Sequence, residues 1–216
     1  MTPRLVCFDL GGVIVRICRS FDQAAHAAGL DLRLSTADLD RSRAQRRALT
    51  DLHQTGGLDS ADYYDRISAS LARAYSPDEV RRIHDAWILG EYPGVHDLVS
   101  DLLARPGIRT GVLSNTNDAH WHAMTASRRD LFPTPARVHH PHASHLLRLG
   151  KPAPAIYEAF ELAADAAPSD IVFFDDLPEN IDAARARGWL AHRIDPDADT
   201  ASQMRAHLAR AGVLPF

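Results

Sequence analysis

Four short, mostly apolar segments predict buried β-strands. They cover residues 4–8, 110–113, 171–174 and 190–194. The first three end in polar or turn-forming residues, as where Gly11-Gly12 follows the first segment. Such runs are typical of strands that helices cover on both faces of a parallel sheet.

Helical patterns separate most of these strands. Residues 95–103 carry apolar side chains at the i, i+3, i+4, i+7 spacing of an amphipathic helix. We also predict helices from about residue 117, over 155–164, over 178–188 and from about residue 200. Residues 132–145 contain three prolines and four histidines, and we expect them to form a loop.

The segment from residue 16 to residue 91 has a different pattern. It is rich in Ala, Arg and Asp, contains no convincing strand, and has helix starts at Asp59 and at Ser76-Pro77. Strands alternate with helices only outside it. We therefore expect an α/β fold in which residues 1–15 and 92–216 form a Rossmann-like parallel sheet, with 16–91 as a helical insertion.

Composition narrows the class of protein. The chain has 216 residues, of which 45% are hydrophobic, and a net charge of −4, which argues against nucleic acid or an anionic membrane as its partner. We find no signal-peptide pattern and no run approaching the ~18 apolar residues of a membrane span. We expect a cytoplasmic monomer or homodimer that acts on a small molecule.

Polar residues follow three of the predicted strands: Asp9, Ser114-Asn115 and Asp175-Asp176. The carboxyl ends of parallel strands meet at one edge of a sheet, so these residues should converge. Carboxylates together with a substrate phosphate are the ligands that Mg²⁺ prefers. Ser114 and the amides after it, near a helix N-terminus, suit an anion, and an aspartate at such a site can act as a nucleophile.

The basic residues are distributed unusually, with 23 arginines and a single lysine, Lys151. An ammonium is a compact point charge that arginine does not replace. Lys151 is therefore a candidate to neutralise a phosphate oxygen and a carboxylate at the same edge.

Four motifs follow one another along the chain: Phe8-Asp9-Leu10-Gly11-Gly12, Leu113-Ser114-Asn115-Thr116-Asn117, Gly150-Lys151-Pro152 and Phe174-Asp175-Asp176 with Asn180. Their order and spacing resemble those of the haloacid-dehalogenase-like hydrolase superfamily. The resemblance spans the whole chain. It is greatest to the phosphatase branch with a helical cap, which includes bacterial α-D-glucose-1-phosphate phosphatases and implies that residues 16–91 form that cap.

This resemblance implies a role for each motif residue. Asp9 would be the nucleophile and, with the Gly11 carbonyl, Asp175 and Asp176, a Mg²⁺ ligand. Ser114 and the Asn115 amide would hold the phosphoryl oxygens. Lys151 would pair with both phosphate and nucleophile, and Asn180 would support the metal site. The implied activity is Mg²⁺-dependent hydrolysis of a phosphate monoester, such as a sugar phosphate, through an aspartyl-phosphate.

One position departs from the family pattern. The usual first motif is Asp-x-Asp, whose second carboxylate protonates the leaving group, and here that position is Gly11. General acid catalysis is worth ~10²–10⁴-fold. Three readings remain open: an acidic leaving group such as an anomeric hydroxyl, an acid from the cap or a water, or a weakly active binding relative. A metal-independent 2-haloacid dehalogenase is the main enzymatic alternative.

Two groups of insertion residues are expected to lie outside the chemistry. His53 is predicted at the surface, with reach into the site on closure of the insertion as the alternative. Arg41, Arg43, Arg46 and Arg47 are predicted to form a solvated helix face, with contact to a substrate phosphate or sugar as the alternative.

Overall fold

The computed structural model describes residues 3–215 and folds into two β-sheets surrounded by helices. The strands are β1 Leu5–Phe8, β2 Val15–Ile17, β3 Ile88–Glu91, β4 Arg109–Ser114, β5 His140–Ala143, β6 Ile171–Asp175 and β7 Leu190–Arg193. The α-helices are α1 Phe21–Ala27, α2 Thr36–Gln54, α3 Ser60–Ser70, α4 Pro77–Asp85, α5 Val95–Leu103, α6 Asp118–His122, α7 Ser144–Leu147, α8 Pro154–Ala164, α9 Pro178–Ala186 and α10 Thr200–Arg210. Within residues 3–215, no helix has the length and apolar character needed to cross a membrane.

The main sheet confirms the predicted α/β fold. Its five strands are parallel in the order β5-β4-β1-β6-β7, which makes β1 the central strand. Alternate residues of β1 face opposite sides: Val6 and Phe8 pack with residues of α5 and α10, whereas Leu5 and Cys7 pack with residues of α8 and α9. Helices therefore cover both faces, as expected for a buried parallel sheet.

Helices α1–α4, called the helical insert below, have a hydrophobic cluster of their own, which includes Phe21, Tyr64 and Tyr75. Two of these helices begin where the sequence predicts. The Asp59 carboxylate accepts from the Asp62 amide at 2.9 Å, and the Ser76 hydroxyl accepts from the Glu79 amide at 3.3 Å. These caps satisfy amides that the first helical turn leaves without partners. The division at residues 15/16 and 91/92 stays a prediction.

Three strands were missed by the sequence analysis. β2 and β3 pair antiparallel at the two ends of the helical insert, in segments that were expected to lack strands. β5 pairs in parallel with β4 at the edge of the main sheet, within residues 132–145, which were expected to be a loop. The pairing partners of β2 and β5 are far away in sequence, so local patterns could not reveal them.

Candidate active site

The carboxyl ends of β1, β4 and β6 form a continuous edge because these strands are neighbours in the sheet. Asp9 follows β1, while Ser114 and Asp175 are the last residues of β4 and β6. Asp9, Asp175 and Asp176 each place a carboxylate oxygen within 4.8 Å of the others. The predicted convergence of three carboxylates at one sheet edge is therefore present in the structure.

Lys151 lies within this carboxylate cluster. Its ammonium is 3.1 Å from Asp9 Oδ1 and 2.6 Å from Asp175 Oδ2, and its side chain is fully buried. The Nζ atom also lies 5.3 Å from the centre of the Phe173 ring. The single lysine of the chain thus joins the carboxylates of two strands.

Asp175 is held by further hydrogen bonds that fix its orientation. The Asn180 side-chain amide donates to both of its carboxylate oxygens at 3.0 Å, and the Leu177 amide donates to Oδ1 at 2.9 Å. The backbone carbonyl of Asn180 accepts from the Tyr157 hydroxyl at 3.0 Å. Asn180 therefore holds Asp175 in position within the carboxylate cluster.

Asp176 lies against the turn after β1. A Cβ added to Gly12 would come within 2.4 Å of Asp176 Oδ2, and Gly12 has a φ of +79°, a conformation that favours glycine. Asp176 Oδ2 also accepts a hydrogen bond from the Arg19 guanidinium at 3.1 Å. Gly12 thus allows the close approach of Asp176 to the backbone of the first motif.

Asn115 connects the loop after β4 to the loop that carries Lys151. Its side-chain amide donates to the Lys151 carbonyl at 2.8 Å, and its side-chain oxygen accepts from the Lys151 amide at 2.8 Å. This reciprocal pair fixes the Asn115 side chain, and the phosphoryl contact that we predict is made by its backbone amide. Ser114 is buried beside Asp9.

Burial and mutual repulsion perturb the ionisation of the cluster. Burial raises the pKa of Asp9 to about 7, with Lys151 opposing the shift and Asp175 and Asp176 adding to it. Burial also raises the pKa of Asp176, although the hydrogen bond from Arg19 opposes it. For Lys151, burial disfavours the charge, but Asp175 and Asp9 outweigh it and raise the pKa.

These residues fit a hard divalent cation. Three clustered carboxylates face two side-chain cations, Lys151 and Arg19, so the cluster holds one more negative than positive group when all are ionised. Oxygen ligands of this kind suit Mg²⁺, which commonly uses one or two carboxylates together with a substrate phosphate. Asp9 and Asp176 could hold such an ion, with Asp175 reaching it directly or through water.

A cavity of about 210 Å³ opens beside the cluster, between the sheet edge and the helical insert. Gly11, Ser114 and Asn115 line its core side. Phe21, Tyr63 and Arg46 line the opposite side, which the helical insert provides. The cavity therefore adjoins Leu10 and Gly11, which directly follow the nucleophile candidate Asp9, and the predicted phosphate-binding residues.

His53 lies in this cavity wall, contrary to the expected surface position. It is 3% exposed, stacks on Tyr63 with ring centres 4.1 Å apart, and its Nε2 is 3.1 Å from the Ser60 hydroxyl. Burial lowers its pKa to about 4, so the ring is neutral at physiological pH. The amphipathic pattern of α2 is weak, which is why the sequence did not place His53 inside.

Hydrogen bonds join the helical insert to the loop after β4. His120 Nε2 donates to the His84 carbonyl at 2.7 Å, and the Asn117 side-chain amide donates to His84 Nε2 at 3.1 Å. The rings of His84 and His120 stack with centres 3.9 Å apart. Burial lowers the pKa of His120 well below its usual value, so it too is neutral.

The space at Gly11 is occupied by Ile17. An added Cβ at Gly11 would lie 3.2 Å from Ile17 Cδ1, and all atoms within 4 Å of it belong to Ile17. No carboxylate lines the cavity within the described part of the chain, and its histidines His53 and His120 are held neutral. Within the described residues, no carboxylic acid therefore takes the place of the absent second aspartate in this cavity.

Sequence reasoning missed Arg19, and it favoured exposed positions for His53 and Arg46 over the alternative that they reach the site. Arg19 has no motif around it, and its contact with Asp176 joins residues 157 positions apart. Arg46 was grouped with its exposed neighbours but is half-buried and lines the cavity. The buried face of α2, read from the structure, is the signal that separates Arg46 from the others.

Comparisons with known proteins agree with this architecture. A structure of a HAD family enzyme from Bacteroides thetaiotaomicron, in complex with magnesium and inorganic phosphate, has 20% identity and a TM-score of 0.74, covering 94% of this chain and all of that one. L-2-haloacid dehalogenase from Xanthobacter autotrophicus has 16% identity and a TM-score of 0.64, covering 99% of this chain and 85% of its own. At these identities the likeness concerns the fold.

A sequence relative and a family profile carry the comparison further. A phosphatase from Mycobacterium tuberculosis is 25% identical over 154 residues, which is 68% of each chain. The profile of haloacid dehalogenase-like hydrolases matches residues 3–188. This match includes every residue of the carboxylate cluster and of the Lys151 loop, and the chain belongs to the haloacid dehalogenase-like hydrolases.

Proposed function

We propose that the protein is a Mg²⁺-dependent phosphomonoester hydrolase that uses Asp9 as its nucleophile. The observation that carries this proposal is the carboxylate cluster of Asp9, Asp175 and Asp176 around Lys151. A dehalogenase of this family needs no metal, so the additional pair Asp175 and Asp176 would have no ion to hold there. The magnesium and phosphate bound by the Bacteroides enzyme, and the phosphatase relative, support the same assignment.

The residues would divide the chemistry as follows. Lys151, 3.1 Å from Asp9, favours the carboxylate form that attacks phosphorus and balances charge on the phosphoryl oxygens. Ser114 and the Asn115 amide orient those oxygens. Attack by Asp9 forms an aspartyl-phosphate while the bond to the leaving oxygen breaks. A water then attacks phosphorus, which releases phosphate and restores Asp9.

The metal would supply charge neutralisation between the phosphate and the carboxylates. Asp9, Asp176 and the Gly11 carbonyl would hold it, with Asp175 direct or through water. Asn180 would keep Asp175 oriented through its two hydrogen bonds. The helical insert would exclude water by covering the cavity during transfer.

Within the described residues, no carboxylic acid lines the cavity to protonate the leaving group. We therefore propose a substrate with a relatively acidic leaving hydroxyl, of which the anomeric hydroxyl of a sugar phosphate is one case. The oxygen would leave as an anion and take its proton from solvent. Turnover should then fall as the pKa of the leaving group rises.

The test is a panel of phosphate esters with and without Mg²⁺, run with wild type and Asp9→Asn. We expect activity that EDTA abolishes, Mg²⁺ restores and Asp9→Asn removes, with the melting temperature of the variant confirming that it folds. Activity that survives Asp9→Asn would overturn the mechanism.

The dehalogenase alternative rests on the absent carboxylate at Gly11, since departure of a halide needs no proton. Halide release from 2-haloacids in the presence of EDTA would favour it over the phosphatase. Binding of phosphate or metal without turnover of any ester would instead indicate a binding relative.

A further inference from the structure

The cavity lined by Gly11 and Ser114 has walls suited to an apolar group. Half of its lining residues are apolar or aromatic, among them Phe21, Tyr63, Trp87, Ile83 and Met124. An apolar cavity of about 150 Å³ is large enough to bind benzene. The present volume of about 210 Å³ therefore has room for one substituted ring.

The polar groups of the cavity add no negative charge. Its lining within residues 3–215 includes amides, hydroxyls and three histidines, but neither Asp nor Glu. A cationic leaving group would lose its hydration there without gaining a counter-charge. Arg46 is the one side chain with a permanent charge in that lining, and burial keeps the histidines His53 and His120 neutral.

Arg46 differs from the other arginines of α2. Arg41 and Arg43 form ion pairs with Asp38 and Asp40 on the exposed face of the helix. Arg46 is half-buried, and within the described residues no carboxylate lies within 4 Å of its guanidinium.

Its guanidinium is held in place by neutral groups. Nε donates to the Ser42 hydroxyl at 3.1 Å, Nη2 donates to the Leu39 carbonyl at 2.7 Å, and Cζ lies 5.5 Å from the centre of the Phe21 ring. No residue between 3 and 215 accepts from Nη1. A fixed, unpaired guanidinium at a partly dry site is suited to a carboxylate.

We propose that the substrate is the phosphate ester of a compact, mainly aromatic hydroxy acid, whose carboxylate binds Arg46 on the helical insert. This inference rests on the proposed phosphatase function. A phenolic oxygen leaves without an acid, in keeping with Gly11, and the ring packs against the apolar walls while the phosphate meets Asp9. Arg46 thereby determines specificity and takes no part in the chemistry.

The test uses a charge series on one ring: 3-carboxyphenyl, phenyl and 3-aminomethylphenyl phosphate, with glucose 1-phosphate as the sugar arm. The proteins are wild type, Arg46→Met and Arg43→Met, the last as an exposed control on the same helix. In wild type we expect kcat/KM for the carboxyphenyl ester to exceed that for phenyl phosphate by at least tenfold, with the aminomethyl ester lowest. Arg46→Met should bring the carboxyphenyl to phenyl ratio within threefold of one, and Arg43→Met should leave it unchanged.

Each ratio compares substrates on the same protein, so it remains informative if Arg46→Met is less stable. A wild-type ratio near one, an unchanged ratio in Arg46→Met, or a preference for glucose 1-phosphate over all three aryl esters would overturn the inference while leaving the phosphatase intact. Equal loss on all esters would show that Arg46 only braces α2, and would overturn it too. Failure of every ester to react with Mg²⁺ would instead overturn the proposed function.

Discussion

Gly11→Asp would place a carboxylic acid where the usual family motif has one. Gly11 does not have the positive φ that excludes side chains, and an added Cβ would contact only Ile17, at 3.2 Å from its terminal methyl group. The end of a flexible side chain can move by a few tenths of an ångström. The fold therefore tolerates an added Cβ at Gly11, unlike one at Gly12, which would lie 2.4 Å from Asp176 Oδ2.

Its cost and its benefit can both be given a magnitude. Displacing Ile17 from its preferred rotamer costs about 0.5–1.5 kcal/mol, which for a chain of this length lowers Tm by roughly 1–6 °C. An aspartic acid in reach of the leaving oxygen is worth ~10²-fold or more for a leaving group that needs a proton. For 4-nitrophenyl phosphate, whose leaving group needs none, the gain should be less than about threefold.

The assay is the dependence of kcat/KM on leaving-group pKa, from nitrophenyl through phenyl to alkyl phosphates, at saturating Mg²⁺. Wild type should show a steep decline and Gly11→Asp a shallow one. Gly11→Asn is the matched control, because its side chain has nearly the same shape as aspartic acid but no acidic proton. This variant should keep the steep decline.

Equal slopes in wild type and Gly11→Asp, with Tm lowered by no more than the expected few degrees, would refute the reasoning. That result would mean that a proton already reaches the leaving group from elsewhere, or that its departure does not limit the rate. A shallow slope in wild type would refute it more directly.

Two further predictions concern buried ionisable side chains. Lys151→Arg retains the charge but overfills a fully buried position 2.6 Å from Asp175. We expect it to lower the free energy of unfolding by about 1–3 kcal/mol and kcat/KM by at least ~10²-fold. Wild-type rates in this variant would refute the need for a point charge. Burial lowers the pKa of His53 to about 4, so the unfolded chain takes up a proton below pH ~6.5 that the folded protein excludes, and stability falls as pH drops from ~6.5 to ~4. His53 contributes up to about 3 kcal/mol to this loss of unfolding free energy. Urea unfolding at pH ~6.5 and pH ~4 should show the contribution in wild type but not in His53→Gln. An equal loss of stability in both proteins would contradict the prediction.

The parallel sheet was predictable because its central strands are nearly pure apolar runs. β1 and β6 are completely buried, so their burial is visible in the sequence itself. β5, with the sequence His-Pro-His-Ala, has no such pattern and exists because it pairs with the end of β4. β2 and β3 are short and join residues more than seventy positions apart, so their pairing is a tertiary effect.

The candidate site likewise contains residues that the sequence predicts and residues whose positions depend on tertiary packing. Asp9, Ser114 and Asp175 were found because each ends a recognisable strand, and Lys151 because it is the only lysine. Arg46 and His53 lie on a helix whose inward face depends on how α1–α4 pack against each other. A single sequence shows that such a helix exists but not which of its polar residues face the cavity.

The burial of Lys151 has a practical consequence for labelling. Lys151 carries the single side-chain amine of the chain, and this amine is buried between Asp9 and Asp175. Reagents that acylate lysine should therefore leave the side chains of the folded protein untouched, and can reach Lys151 only when the sheet edge opens. The rate of its acylation would report that opening at a single position, without any engineered probe, and a ligand that seals the edge would slow it.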